Sequence, residues 1–176
     1  MILVITITLN PVRYIMMNKP PRNGIFLLLF CCWIPFFLHS CQEDRYFEQS
    51  MKIPDGIWKT DHILPFSVMI PDTLSSYDLY IDVRNDISYP YSNLYIFFTT
   101  VFPNGLTTRD TIECQLAQPD GKWLGAGMGS IRSNRFLFQE GIRFSIAGTY
   151  RFELEQAMRV PELKGIRDIG IRINKK

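Results

Sequence analysis

The chain has 176 residues, with 19 Lys and Arg against 17 Asp and Glu and 47% hydrophobic residues. So even a charge balance gives no support to a nucleic-acid partner, which would call for a basic patch or stripe. The length suits a single domain once an export leader is set aside.

At the amino end, Ile25 to Leu38 is almost entirely apolar; Lys19 and Arg22 precede it, and the small Ser40 and then Cys41 follow. Basic head, short apolar middle and small-residue exit make a secretory signal. The run is shorter than the ~20 apolar residues that span a bilayer, and Pro35 interrupts any long helix. The first sixteen residues fit a signal head poorly, so Met16 or Met17 is the expected translation start. Leu38-His39-Ser40-Cys41 reads as a lipoprotein box, although His39 is unusual at its position. Cys41 is therefore the expected lipidation site, and residues 1–40 the discarded leader. What remains is about 135 residues, one domain by size. All 17 acidic residues stay in it while Arg13, Lys19 and Arg22 leave, so the exported part is near neutral. Cys31 and Cys32 leave too, and Cys114 has no partner for an internal disulfide. Its alternation with Ile112 and Leu116 predicts a buried core thiol.

Residues 41–56 are polar and read as an irregular tether; residues 57–176 read as the folded domain. Phe66, Val68 and Ile70 recur at every second position, as do Leu79, Ile81 and Val83, then Tyr150, Phe152 and Leu154, then Ile169, Ile171 and Ile173. That period marks half-buried strands. Leu94 to Phe102 is apolar nearly throughout and predicts a central strand covered on both faces. Asn104-Gly105 predicts a tight hairpin with positive φ angles, leading to a strand from Leu106 to Leu116. Glu155 to Arg159 allows no more than one helical turn before Pro161 and Gly165. Short strands divided by Pro and Gly predict an all-β antiparallel sandwich, jelly-roll or Ig-like.

Few residues invite catalysis. His62 is the sole histidine beyond the leader and stands beside Asp61 with no nucleophile at a familiar spacing, which favours a structural role. No His/Cys cluster has metal-ligand spacing. Asp55, Asp110 and Asp120 sit beside turn residues or at strand starts, where Asp serves local hydrogen bonding. Gly125-Ala126-Gly127-Met128-Gly129 lacks the strand, helix and spacing of a dinucleotide loop. No enzyme activity, cofactor, metal or small-molecule substrate is expected. The aromatics Trp58, Tyr89, Tyr91 and Trp123 are expected in the core or an interface; on a sandwich, exposed rings also suit a glycan-binding module. The segment from Ala117 to Asn134 has no sustained period, and long connections are often functional. Trp123, Lys122, Arg132 and Arg135 are its candidate partner-binding residues, Trp and Arg being common interface anchors. The alternative for Trp123 is a cap on one open end of the sandwich.

Six strings occur in one order: Pro54-Asp55-Gly56-Ile57-Trp58; Arg84-Asn85 with Tyr89-Pro90-Tyr91-Ser92-Asn93-Leu94; Arg109-Asp110-Thr111-Ile112-Glu113-Cys114; Pro119-Asp120-Gly121-Lys122-Trp123-Leu124-Gly125; Gly148-Thr149-Tyr150; and Glu155-Gln156-Ala157-Met158-Arg159. Together they resemble the GldH family of gliding-motility lipoproteins of Bacteroidetes, over essentially all of the chain from Cys41 to Asn174. The resemblance implies a non-enzymatic envelope lipoprotein, held by its lipid at either face of the outer membrane. It also implies partners among other envelope or gliding-machinery proteins. Glu43-Asp44, just after Cys41, is similar to the surface-export signal of such lipoproteins. The rival reading is a surface glycan-binding module.

Overall fold

The computed structural model describes residues 45–176; the expected leader, Cys41 and the residues up to Asp44 lie outside them. Ten strands account for nearly all regular structure there: β1 Arg45–Lys52, β2 Ile57–Lys59, β3 Leu64–Ile70, β4 Tyr77–Asp86, β5 Asn93–Val101, β6 Thr107–Gln115, β7 Ile131–Ile142, β8 Gly148–Gln156, β9 Glu162–Lys164 and β10 Ile166–Lys175. The eight long strands form two four-stranded antiparallel sheets, ordered β1-β10-β4-β7 and β3-β8-β5-β6, and β2 and β9 make a small separate ribbon. Among the long strands the first pairs with the last, β3 with β8, β4 with β7, and β5 with β6. The chain is thus one long hairpin rolled up, with its tip at the turn after Val101. That nesting is a jelly roll and decides against the Ig-like alternative.

Period-two patterning places the core. Phe66, Val68 and Ile70 of β3, Leu79, Ile81 and Val83 of β4, Leu94, Ile96 and Phe98 of β5, and Tyr150, Phe152 and Leu154 of β8 are all buried. They meet Ile169, Ile171 and Ile173 of β10 in one cluster. Aromatic rings join the sheets: Phe98 lies 4.8 Å from Phe138 of β7 and 5.4 Å from Phe152. Each fully buried Phe, Leu or Ile contributes roughly 1.5–3 kcal/mol by leaving water. Trp58 is wholly buried, and its indole N–H donates to the His62 carbonyl at 2.9 Å. Cys114 is buried as expected, and desolvation, helped by the nearby Glu113 carboxylate, pushes its thiol up to about 12.

Three expectations are corrected. Most of the supposed tether is strand: Arg45–Lys52 pairs along β10, and Ile53 continues the attachment by donating to the Arg167 carbonyl at 2.8 Å. Backbone groups of this polar stretch are satisfied by the neighbouring strand, which the side-chain pattern does not reveal. The β5–β6 turn has positive φ at Gly105 and not at Asn104. Gly105 N–H donates to Phe102 at 2.9 Å and Phe102 N–H to Leu106 at 2.8 Å, so Pro103-Asn104-Gly105 is a three-residue loop. Proline suits the first corner of a type I turn, and glycine the left-handed position after it. Finally, β5 is covered on one face only: Tyr95 remains 36% exposed. The strand buried on both faces is β10, where Asp168 and Arg172 are buried beside Ile169, Ile171 and Ile173.

Candidate functional site

The outer face of the β3-β8-β5-β6 sheet carries an open aromatic groove. Because successive side chains alternate, burying Leu94, Ile96 and Phe98 turns Tyr95 and Phe97 outward. They form a groove of about 530 Å³ with Tyr91, Thr111 and the segment Ala157 to Val160. That segment is stitched to the sheet: Ala157 N–H donates to the Tyr95 carbonyl at 2.8 Å, and Tyr95 N–H reaches the Met158 sulfur at 3.3 Å. Buried Gln156 fixes its curvature, accepting from Met158 N–H at 2.8 Å and donating to the Val160 carbonyl at 2.8 Å. Beside the groove, the Arg109 guanidinium lies 4.2 Å above the Phe97 ring and forms a two-point bond with Glu155 at 3.1 and 3.3 Å. The Tyr95 phenol is raised above its ordinary value, first by its hydrogen bond to Glu113 and then by burial. Tyr91 is 37% exposed and meets the buried Tyr89 edge-on at 5.6 Å. Solvent-facing rings flanked by an Arg and hydroxyl groups are equipped for binding by apolar contact and directed hydrogen bonds. The sequence hints at only part of this site. Tyr91 stands out as an aromatic, but the groove is assembled by pairing of strands distant in sequence.

The four sequence-predicted residues do not form one cluster. Trp123 is half-buried against the core, and its backbone is bridged to Ala117. Lys122 is exposed on an adjoining turn, where the Asp120 carboxylate accepts its N–H at 3.0 Å. Arg132 folds onto its own loop, donating to the Gly129 and Ile131 carbonyls at 2.9 Å each. Arg135 points from β7 across the other sheet, bonding Asp82 at 2.7 and 2.8 Å and Glu48 at 3.2 Å. The large apolar residues that the connecting loop exposes are Leu124 and Met128, the latter 94% exposed. Gly127 makes that loop possible: a Cβ there would lie 2.2 Å from the Ile131 carbonyl oxygen.

The residues weighed for catalysis sit in structural settings. His62 closes a turn, its N–H donating to Lys59 at 3.1 Å while its carbonyl holds Trp58. Asp120 caps the turn described above. Asp55 is in a 3-10 turn with φ 55°, and Asp110 lines a second cavity of about 230 Å³ at one end of the sandwich. Among the described residues no group of three His, Cys, Asp or Glu is placed to hold a metal ion.

Fold and surface thus define a jelly-roll domain with an aromatic groove on one sheet face and an exposed connecting loop. The sequence model of the GldH lipoprotein family matches residues 45–173, and the chain belongs to that family. A gliding motility lipoprotein GldH homolog of Christiangramia forsetii is 33% identical over 161 residues, covering 88% of this chain and 98% of the relative. The gliding motility lipoprotein GldH of Flavobacterium johnsoniae is 31% identical over 162 residues, covering 88% and 97%. Solved structures resemble it far less. Dimeric latent PorU from Porphyromonas gingivalis aligns with a TM-score of 0.33 at 11% identity, over 77% of this chain and 14% of that one. A xylan-binding domain from Paenibacillus barcinonensis gives 0.28 at 12% identity, over 77% and 97%. Likeness at this level carries no argument about function.

Proposed function

We propose that this protein is a lipid-anchored, non-enzymatic component of the gliding machinery, held to the outer membrane through Cys41 and acting by binding other envelope proteins. The observation that carries the reading is the aromatic groove. A folded sheet gains nothing by leaving Tyr91 and Tyr95 exposed beside the part-covered Phe97, whereas aromatic rings beside an Arg are the usual anchors of a protein interface. The loop adds a second contact, with Leu124 and Met128 exposed on it, Lys122 and Arg132 beside them, and Trp123 packed against the core; Arg135, bonded to Asp82 and Glu48, takes no part. The double variant Tyr91→Ala/Tyr95→Ala tests the groove. It should fold normally yet abolish colony spreading and the recovery of envelope partners with the tagged protein; unchanged spreading would refute the assignment. The anchor is tested by Cys41→Ala. Stable membrane attachment takes more than one acyl chain, so the variant should accumulate as precursor and leave the outer-membrane fraction. Continued acylation and normal fractionation would remove Cys41 from the scheme.

The same groove supports a second reading as a glycan site, because aromatic faces also stack on sugar C–H groups while Thr111 and Arg159 offer hydrogen bonds. Retardation of the purified protein in a polysaccharide-loaded gel, abolished by Tyr95→Ala, would favour it.

A further inference from the structure

Four strands end the two sheets: β1 and β7 in one, β3 and β6 in the other. An open strand edge invites pairing with another chain, and proteins usually blunt it with a bulge, a proline, a lysine or a covering segment. Three of these edges are blunted. β1 has a register break between Arg45 and Phe47 and ends in Lys52. β3 contains Pro65. β7 is crossed at its start by the bridge between Ala126 and Ser133, and its pairing with β4 slips twice. β6 lacks a bulge, a proline, a lysine and a covering segment; charged side chains alone guard it, with Asp110 on the inward-facing phase. It runs in unbroken register over nine pairs with β5, from Thr107 to Gln115, without Pro or Lys.

The phase of that ladder shows what β6 offers outward. Phe102 N–H donates to Leu106 and Leu116 N–H to Ser92, both at 2.8 Å. Both pairs lie in the same register as Leu94 with Cys114. Hydrogen-bonded pairs alternate along an antiparallel ladder, so Thr108, Asp110, Ile112 and Cys114 exchange bonds with β5. Thr107, Arg109, Thr111 and Glu113 therefore turn their N–H and C=O groups away from the sheet. Among the described residues no backbone hydrogen bond occupies these groups. All four residues are exposed.

We infer that β6 pairs antiparallel with β6 of a second copy of this chain about a two-fold axis at Thr111, joining two sheets into one continuous sheet. The choice of occupant rests on charge. With Thr111 opposite its symmetry mate, Arg109 of each chain faces Glu113 of the other, on the outer face of the joined sheet. The register thus places opposite charges in direct cross-strand pairs twice over, where like charges would oppose pairing. It also matches outward N–H with outward C=O, because Arg109, Thr111 and Glu113 share one phase of the ladder. Edge pairing buries little area, so the dimer is weak in dilute solution and favoured where copies are concentrated at one surface.

Disulfide trapping tests this in the full-length protein in its native envelope. A hydrogen-bonded antiparallel pair holds its Cα atoms ~5.5 Å apart, within reach of a disulfide. Thr111→Cys should therefore run as a dimer on a non-reducing gel after mild oxidation. Thr107→Cys, equally exposed but several residues from its mate in this register, should stay monomeric; Cys114 is buried and gives no background. On the Thr111→Cys chain, Arg109→Glu should cut the dimer band several-fold, Glu113→Arg should do the same, and the double exchange should restore it. Equal trapping at Thr107 and Thr111, or none at either, would overturn the inference. So would a double exchange that fails to restore the band when Glu155→Gln is added, which removes the like charge that Arg109→Glu would otherwise meet within its own chain.

Discussion

β5 and β10 are both inner strands, one in each sheet, yet their sequences mislead in opposite directions. Leu94 to Phe102 is the most apolar stretch of the described residues, but one of its faces is left to solvent. Ile166–Lys175 alternates Ile with Asp, Gly and Arg, but is buried on both faces nearly to its end. Charged side chains cover the outer face of β10. Arg84 bonds Asp168 at 2.9 Å, and Arg172 lies 3.7 Å from Glu48. Gly170 sits between Ser50 of β1 and Asp82 of β4 in the register, and Arg135 of β7 reaches Glu48 of β1 at 3.2 Å. The difference teaches that burial follows from what lies above a residue. Charge buried by pairing serves the fold, whereas apolar surface left bare on β5 is available for binding.

The sharpest way to break this contrast is to truncate each face of β5. Phe98→Ala empties a core site and should cost about 3–5 kcal/mol. Phe97→Ala, one residue along, should cost under about 1 kcal/mol as a partly exposed site losing a cation–π contact. Chemical denaturation of both variants measures the pair, and similar losses would mean that the outer face of β5 is also core. Next comes the outer face of β10. Gly170→Val puts a Cβ 2.9 Å from the Gln49 carbonyl oxygen, within the β1–β10 ladder. It should destabilise by about 1–3 kcal/mol, as overpacking does, and a neutral result would show that β1 yields easily.

The smallest effect concerns the ion pairs between β4 and β10. The Asp86 carboxyl is held below the ordinary carboxylate range, first by the Ser88 N–H at 3.0 Å and then by the Arg167 guanidinium at 2.9 Å. A depressed carboxylate pKa contributes stability that is present above the unfolded value, ~3.9, and lost as pH falls through the folded one. Unfolding temperature should therefore be flat near neutrality and decline below about pH 4. Asp86→Asn should flatten that acid limb in a pH series. Asp72, depressed chiefly by the Ser75 N–H, leaves a residual slope in the variant.

The sequence by itself determined six of the eight long strands, the all-β sandwich, the buried Cys114 and the family, because side-chain period and local strings survive without any knowledge of contacts; β7 went unseen, and the supposed loop from Ala117 to Asn134 ends in strand from Ile131. It could not choose jelly roll over Ig-like, since strand order depends on pairings between residues as distant as Glu48 and Arg172. It misjudged Arg45–Lys52 for the same reason: a polar strand looks like a tether until β10 satisfies its backbone. The groove shows the limit most clearly. Tyr95, Thr111 and Met158 have nothing in common along the chain, and only the meeting of β5, β6 and the end of β8 makes one surface of them. Local order is written in neighbouring residues, whereas a binding face is a property of strands that sequence separates and tertiary hydrogen bonds bring together.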